Sequence, residues 1–177
     1  MLKLIKDDIF IWKGLNKNQI EKTLFLINKS KHHSFDNISY TDWDLLYWGE
    51  YWDFLWNECL LDFKKSFCKN FNCDDLIVRN YWYQKYEKGD FHQKHVHEGC
   101  HFTNVLFLEN SKTNPTNIIN YNIPKKYIVD GTILSFPAYR VHESKKHNFK
   151  KNKTVVSFNT DLFKISNSSP RKIKYKT

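Results

Sequence analysis

From Cys73-Asp74-Asp75 onward the chain becomes a series of short β-branched and aromatic runs broken by turn residues, with no helical spacing between them. The runs fall at residues 77–86, 95–108 (as one or two strands), 118–121, 127–129, 132–136 and 154–158. Gly89-Asp90, Asn114-Pro115 and Asp130-Gly131 punctuate their ends with residues that supply the backbone angles of turns. A parallel sheet needs long crossovers, which these spacings leave no room for, so the pattern predicts an antiparallel sandwich or barrel.

The first part of the chain reads differently. Asn16 is followed three residues later by Gln19, and Ile20, Leu24 and Ile27 follow at helical spacing, which predicts a capped helix over 17–29. Residues 29–44 are polar and turn-rich and read as loop. Trp52, Leu55, Trp56, Cys59, Leu60, Phe63 and Phe67 recur at threes and fours, the pattern of one long amphipathic helix over 50–71 that covers a sheet. The Trp and Tyr residues from Tyr40 to Trp56 then serve as packing between helix and sheet.

At 177 residues the chain fits one domain, with 1–72 as a mostly helical cover, 76–165 as the β core and 166–177 as a loose basic tail. Apolar residues at 41% and aromatics at 17% exclude a disordered chain. No apolar run reaches the roughly 18–20 residues of a membrane helix, and Met1-Leu2-Lys3-Leu4-Ile5-Lys6-Asp7-Asp8 lacks the features of a cleaved leader, so a soluble cytoplasmic protein with no membrane partner is expected. Cys59, Cys68, Cys73 and Cys100 form no CxxC pair and are expected as reduced thiols. The net charge of +9 is concentrated late, where ten Lys and Arg from Lys145 onward face only Asp161. That skew favours an anionic partner or prime substrate and leaves nucleic acid open.

The chemistry lies in Tyr86-Glu87-Lys88-Gly89-Asp90-Phe91-His92-Gln93-Lys94-His95-Val96-His97, answered downstream by Phe136-Pro137 with His142, and then by Lys153. Side chains alternate along a strand, so His95 and His97 can point at one ion, with His142 brought in from the loop after residue 137. Imidazole suits first-row metals including iron, and three protein ligands on one face leave positions open for exchangeable ligands. His32, His33 and His147 read as surface or hydrogen-bonded histidines, whereas His92 and His101 border the motif as second-sphere candidates.

The segment from Val78 to Asn159, a little under half the chain, resembles the catalytic double-stranded β-helix of 2-oxoglutarate- and Fe(II)-dependent oxygenases. The prolyl 4-hydroxylase-like branch and the short oxygenase-like proteins of phage genomes are most similar. The family's tyrosine, glycine and metal-binding pair are matched by Tyr86, Gly89, His95 and His97; its strand into the distal histidine by Gly131, Leu134, Phe136, Pro137 and His142; and its basic strand by Lys153, Phe158 and Asn159. The resemblance implies an α+β, mainly β fold: a jelly roll, cupin-like, with N-terminal covering helices. It also implies Fe(II) and 2-oxoglutarate as cofactor and cosubstrate, O2 as co-reactant and succinate as product, in the host cytoplasm if the chain is phage-encoded. Lys153 would grip the cosubstrate's far carboxylate, with Ser157 and Asn159 on the same strand face and Tyr81, Tyr83 and Asn104 as further candidates from flanking strands.

The family's second ligand is usually a carboxylate where this chain has His97; Glu98 is the alternative, should a bulge turn it inward, and Asp90 is more remote. Two rivals stay open: a cupin-like three-histidine metalloprotein acting without a keto acid, and a non-enzymatic basic module that binds nucleic acid through lysines and aromatic rings. A degenerate oxygenase fold kept for packing is a third.

Overall fold

Two sheets form the core. In the computed structural model, which describes residues 2–6, 8–35, 38–43, 45, 49–112 and 115–165, the strands are β1 (Leu2–Lys6), β2 (Ile9–Lys13), β3 (His33–Phe35), β4 (Ser39–Thr41), β5 (Cys73–Tyr86), β6 (His92–His95), β7 (Phe102–Glu109), β8 (Asn117–Ile118), β9 (Thr132–Pro137), β10 (His142–Ser144) and β11 (Lys153–Ile165). Eight make the larger sheet, in the order β1-β2-β9-β7-β11-β5-β4-β3, and β6-β10-β8 make the smaller. Every pairing between them is antiparallel, as the strand spacing predicts. The basic tail at 166–177 lies outside the described residues.

Strand alternation divides the apolar residues between two cores. On β11, Val156 and Phe158 face a layer of helices while Val155 faces the smaller sheet. On β2, Phe10 and Trp12 go to the helices and Ile9 and Ile11 to the space between sheets. Both faces of β2 are therefore buried, and the segment reads as an unbroken apolar run with no alternation to mark it. The N-terminal segment is thus not wholly helical cover: β1 and β2 extend the large sheet beside β9.

The helices depart from sequence in one instructive way. Helix α1 (Lys17–Lys29) has the expected capping box, Gln19 N–H donating to Asn16 Oδ1 and Asn16 N–H to Gln19 Oε1, both at 3.0 Å. The expected long helix is instead α2 (Glu50–Phe54), a π-helical turn at Leu55–Cys59 and α3 (Leu61–Phe71). Leu60 N–H reaches back five residues to Leu55 O at 2.9 Å. This wider turn rephases the helix so that Leu55, Leu60, Phe63 and Phe67 are all fully buried. Residues 29–44 hold β3 and β4 rather than only loop, and 127–129 is not a strand, Lys125–Tyr127 forming a single 3₁₀ turn.

The Asp130-Gly131 turn is tight for a physical reason. Gly131 has φ +85°, and a Cβ there would stand 2.5 Å from Leu15 O, so the hand-over into β9 requires glycine. All four cysteines are free thiols, and burial raises Cys59 to about 11 and Cys68 to about 12, away from thiolate chemistry.

Helix and sheet meet at Trp52, which stacks on Tyr81 at 4.4 Å and on Trp56 at 5.5 Å and leans on Phe158. Trp52→Ala should destabilise the fold by about 3–5 kcal/mol in chemical denaturation, the usual cost of deleting a large buried aromatic, whereas an exposed change such as Phe25→Ala should cost under about 0.5 kcal/mol.

Candidate metal centre

The smaller sheet carries two of three converging imidazoles. β6 pairs with β10 so that His95 lies opposite His142, their ring centroids 4.2 Å apart. His142 is therefore a strand residue rather than part of a loop. His97, by contrast, is not on a strand: β6 ends at His95, and the following segment is held by His97 N–H donating to Ala138 O at 3.0 Å. The His97 ring lies 5.2 Å from that of His95 and 5.0 Å from that of His142, with Trp82 stacked on its outer side. One nitrogen or another of each imidazole lies within 4.8 Å of those of the other two.

Each ring is oriented by an oxygen at Nδ1. His95 Nδ1 meets Gln93 O at 2.7 Å, His97 Nδ1 meets Asn159 Oδ1 at 2.7 Å, and His142 Nδ1 meets Arg140 O at 3.0 Å. A carbonyl oxygen only accepts, so Nδ1 carries the proton in each ring and Nε2 keeps its lone pair. Thr103 Oγ1 donates to the same Asn159 oxygen at 3.2 Å. Burial pushes the rings away from protonation, His142 to about 3 and His97 to about 4, with His95 lowered as well. Three neutral imidazoles, each braced through Nδ1, are the donor set that a first-row divalent metal takes, and so the residues fit the implied ion.

Among the described residues no carboxylate joins this group. Glu98 is exposed and rims an outer cleft, and Asp90 closes the β5–β6 turn, where its Oδ2 accepts from Glu87 N–H at 2.8 Å. His101 turns away: its Nδ1 accepts from Leu162 N–H at 3.0 Å beside Asp161, so it is no second-sphere residue of the cluster. His92 does belong here, stacked on His95 at 4.1 Å. His147 is fully buried with Nε2 on Lys151 O at 2.7 Å, a hydrogen-bonded histidine as expected.

Strand β11 carries the next polar groups. Lys153, Val155, Ser157 and Asn159 share its inner face, as alternation predicts; Ser157 and Val155 line the small inner pocket beside the three rings. Lys153 is 1% exposed; its Nζ donates to Ser144 Oγ at 2.9 Å and lies 4.4 Å from the centre of the Tyr86 ring. No carboxylate among the described residues pairs with it. Desolvation pushes its ammonium down to about 7.

Three sequence candidates lie on the wrong face. Tyr81 stacks on Trp52 and accepts from Gly49 N–H at 3.2 Å; Tyr83 packs edge-on against Tyr51. Both point to the helices because they alternate with Trp82, Gln84 and Tyr86, which line the inner pocket. Asn104 braces three strands from the same helical side, donating to Phe158 O and accepting from Ser135 Oγ. Sequence reasoning missed Gln84 and Trp82 as pocket residues, although counting by twos back from Tyr86 selects both.

Outside the inner pocket a cleft of about 380 Å³ opens beside the rings, lined by Trp43, Trp82, Asn80, His92 and Glu98 among others.

No protein-family model matches the sequence, and no curated protein matches it either. Solved structures do. HygX from Streptomyces hygroscopicus, with nickel, 2-oxoglutarate and hygromycin B bound, superposes with TM-score 0.66 at 8% identity over 88% of this chain and 83% of that one. The viral collagen prolyl hydroxylase of Paramecium Bursaria Chlorella virus-1, in complex with 2-oxoglutarate, gives 0.62 at 14% identity over 89% and 97%. SnoN, the non-heme α-ketoglutarate-dependent epimerase of nogalamycin biosynthesis, gives 0.64 at 10% identity over 96% and 87%. The chain has the double-stranded β-helix fold of the 2-oxoglutarate- and Fe(II)-dependent oxygenases.

Proposed function

We propose that this protein is an Fe(II)- and 2-oxoglutarate-dependent oxygenase of hydroxylase type. His95, His97 and His142 would hold the ion through Nε2, and Lys153 would bind the far carboxylate of 2-oxoglutarate. The observation that carries the reading is the pairing of three neutral imidazoles with a fully buried lysine that has no protein carboxylate among the described residues. A buried ammonium is costly unless an anion meets it, and neither a keto-acid-free metalloprotein nor a nucleic-acid module gives Lys153 a reason to be inside. Neighbours of this fold bind nickel and 2-oxoglutarate, which supports the same pair here.

Iron with 2-oxoglutarate and O2 supplies oxidative decarboxylation to succinate coupled to oxidation of a second substrate. The residues' own work is to bind and orient. Asn159 holds the His97 ring through Nδ1, Ser144 and Tyr86 flank Lys153 to receive a carboxylate, and Val105 and Val155 line the inner pocket with apolar surface that keeps water from it. Replacing the usual carboxylate ligand with His97 leaves the centre one unit more positive, which favours anionic ligands at the remaining positions. The outer cleft argues against the anionic prime substrate expected from net charge: Glu98 is the charged residue among those lining it besides histidines, and Trp43 and Trp82 wall it. An uncharged or cationic group with a flat or apolar face suits it better.

Anaerobic addition of Fe(II) and 2-oxoglutarate should give a visible charge-transfer band, and O2 should then release succinate without any prime substrate. Lys153→Ala should weaken 2-oxoglutarate binding roughly tenfold to a hundredfold while metal affinity holds, given the worth of a charged hydrogen bond. Unchanged keto-acid binding in that variant would remove Lys153 from the reading.

The metal-free protein should also become more stable as pH rises in two windows. Folded His97 and His142 titrate near 4 and 3 but unfolded ones near 6.5, so the unfolded chain binds more protons between about 4 and 6.5; Lys153 does the same between about 7 and 10.5. Denaturation midpoints in Lys153→Met should lose the upper rise and keep the lower one.

A further inference from the structure

One wall of the inner pocket is a chain of hydrogen bonds whose donors all point the same way. Lys153 Nζ donates to Ser144 Oγ at 2.9 Å, and the Ser144 hydroxyl bonds the Tyr86 phenol oxygen. Tyr86 donates to Gln84 Oε1 at 3.0 Å. With its Oε1 on the Tyr86 hydroxyl, the Gln84 amide presents Nε2 to His92 Nδ1 at 3.1 Å. An amide NH2 can only donate, so His92 Nδ1 must accept, and the ring proton is forced onto Nε2.

His92 is placed to use that proton. Its ring stacks on His95 at 4.1 Å and borders both the inner pocket and the outer cleft. Nε2 has no protein acceptor among the described residues, and it is not among the polar atoms sealed from the surrounding space. The wall thus runs from the buried cation at one end to the imidazole cluster at the other.

We propose that His92 is a cosubstrate-binding residue: a fixed Nε2–H donor to the carboxylate at the metal-proximal end of the keto acid, opposite the end held by Lys153. The inference rests on the oxygenase reading above. A keto diacid carries a carboxylate at each end, one for the Lys153 end of the wall and one for the His92 end, and a carboxylate is the acceptor-only group that a ring locked as a donor can satisfy. Gln84 acts one step back, as a positioning residue that sets the tautomer.

Two measurements test this. In metal-free protein labelled with ¹⁵N-histidine, NMR should find His92 as the Nε2–H tautomer, and Gln84→Glu, which puts a carboxylate where the amide donated, should reverse it to Nδ1–H. A wild-type Nδ1–H ring, or a tautomer indifferent to Gln84→Glu, overturns the proposal. In protein loaded with Zn(II), calorimetry should show His92→Phe, which keeps the stack on His95, weakening 2-oxoglutarate binding about tenfold or more with Zn(II) affinity unchanged. Undiminished binding in His92→Phe sinks this inference alone, whereas wild-type protein that takes up Zn(II) but no 2-oxoglutarate sinks the oxygenase reading beneath it.

Discussion

Strand β11 lies between β7 and β5 at the heart of the large sheet, and its two-residue alternation organises the molecule. One face sends Val156 and Phe158 against Trp52, Phe63 and the other aromatics of the helical layer. The opposite face sends Lys153, Val155, Ser157 and Asn159 toward the smaller sheet. A one-residue slip would put a lysine among the aromatic rings and a phenylalanine among the histidines, so the apolar packing of the helices and the polar geometry of the site fix one register between them. Packing on one face of the strand thus sets the position of the site on the other.

The electrostatics of the centre follow from that burial. Imidazoles kept neutral in a desolvated pocket offer lone pairs without first shedding protons, and they tolerate a divalent ion where a cluster of cations would not. Lys153 is the opposite case, a group whose charge the pocket resists and whose ordinary partner, a carboxylate, none of the described residues provides. In the proposed function, a dianion bridging metal and lysine would relieve both strains together. With three imidazoles as the proposed ligands the protein would contribute no negative charge to the ion, and an anionic cosubstrate would then be a larger share of what stabilises the loaded site than where a carboxylate ligand is present.

Much of this was legible in the sequence, and the misses have physical causes. The capping box at Asn16 and Gln19, the antiparallel β texture and the inner face of β11 follow from local chemistry that tertiary context left intact. The strand β2 gave no alternation because Ile9, Phe10, Ile11 and Trp12 are all buried, on both of its faces. The π turn at Leu55–Cys59 hid inside a spacing that also suits a regular helix. Tyr81, Tyr83 and Asn104 lie near the motif in sequence, yet parity places the first two opposite Tyr86 and sets Asn104 with Phe102 and Leu106 against the helices. His97 converges on the other two rings although its segment is not a strand; the tie to Ala138 does what alternation was expected to do. Glu98, next along that irregular segment, stays exposed.

Three imidazoles at one end and a buried ammonium at the other would bound a single ligand site. An anaerobic crystal structure with Fe(II) and 2-oxoglutarate tests it most directly. The account predicts iron on Nε2 of His95, His97 and His142, with the keto acid chelating it and its far carboxylate on Lys153. Iron bound through Glu98 or another carboxylate, or 2-oxoglutarate lying away from Lys153, would contradict it.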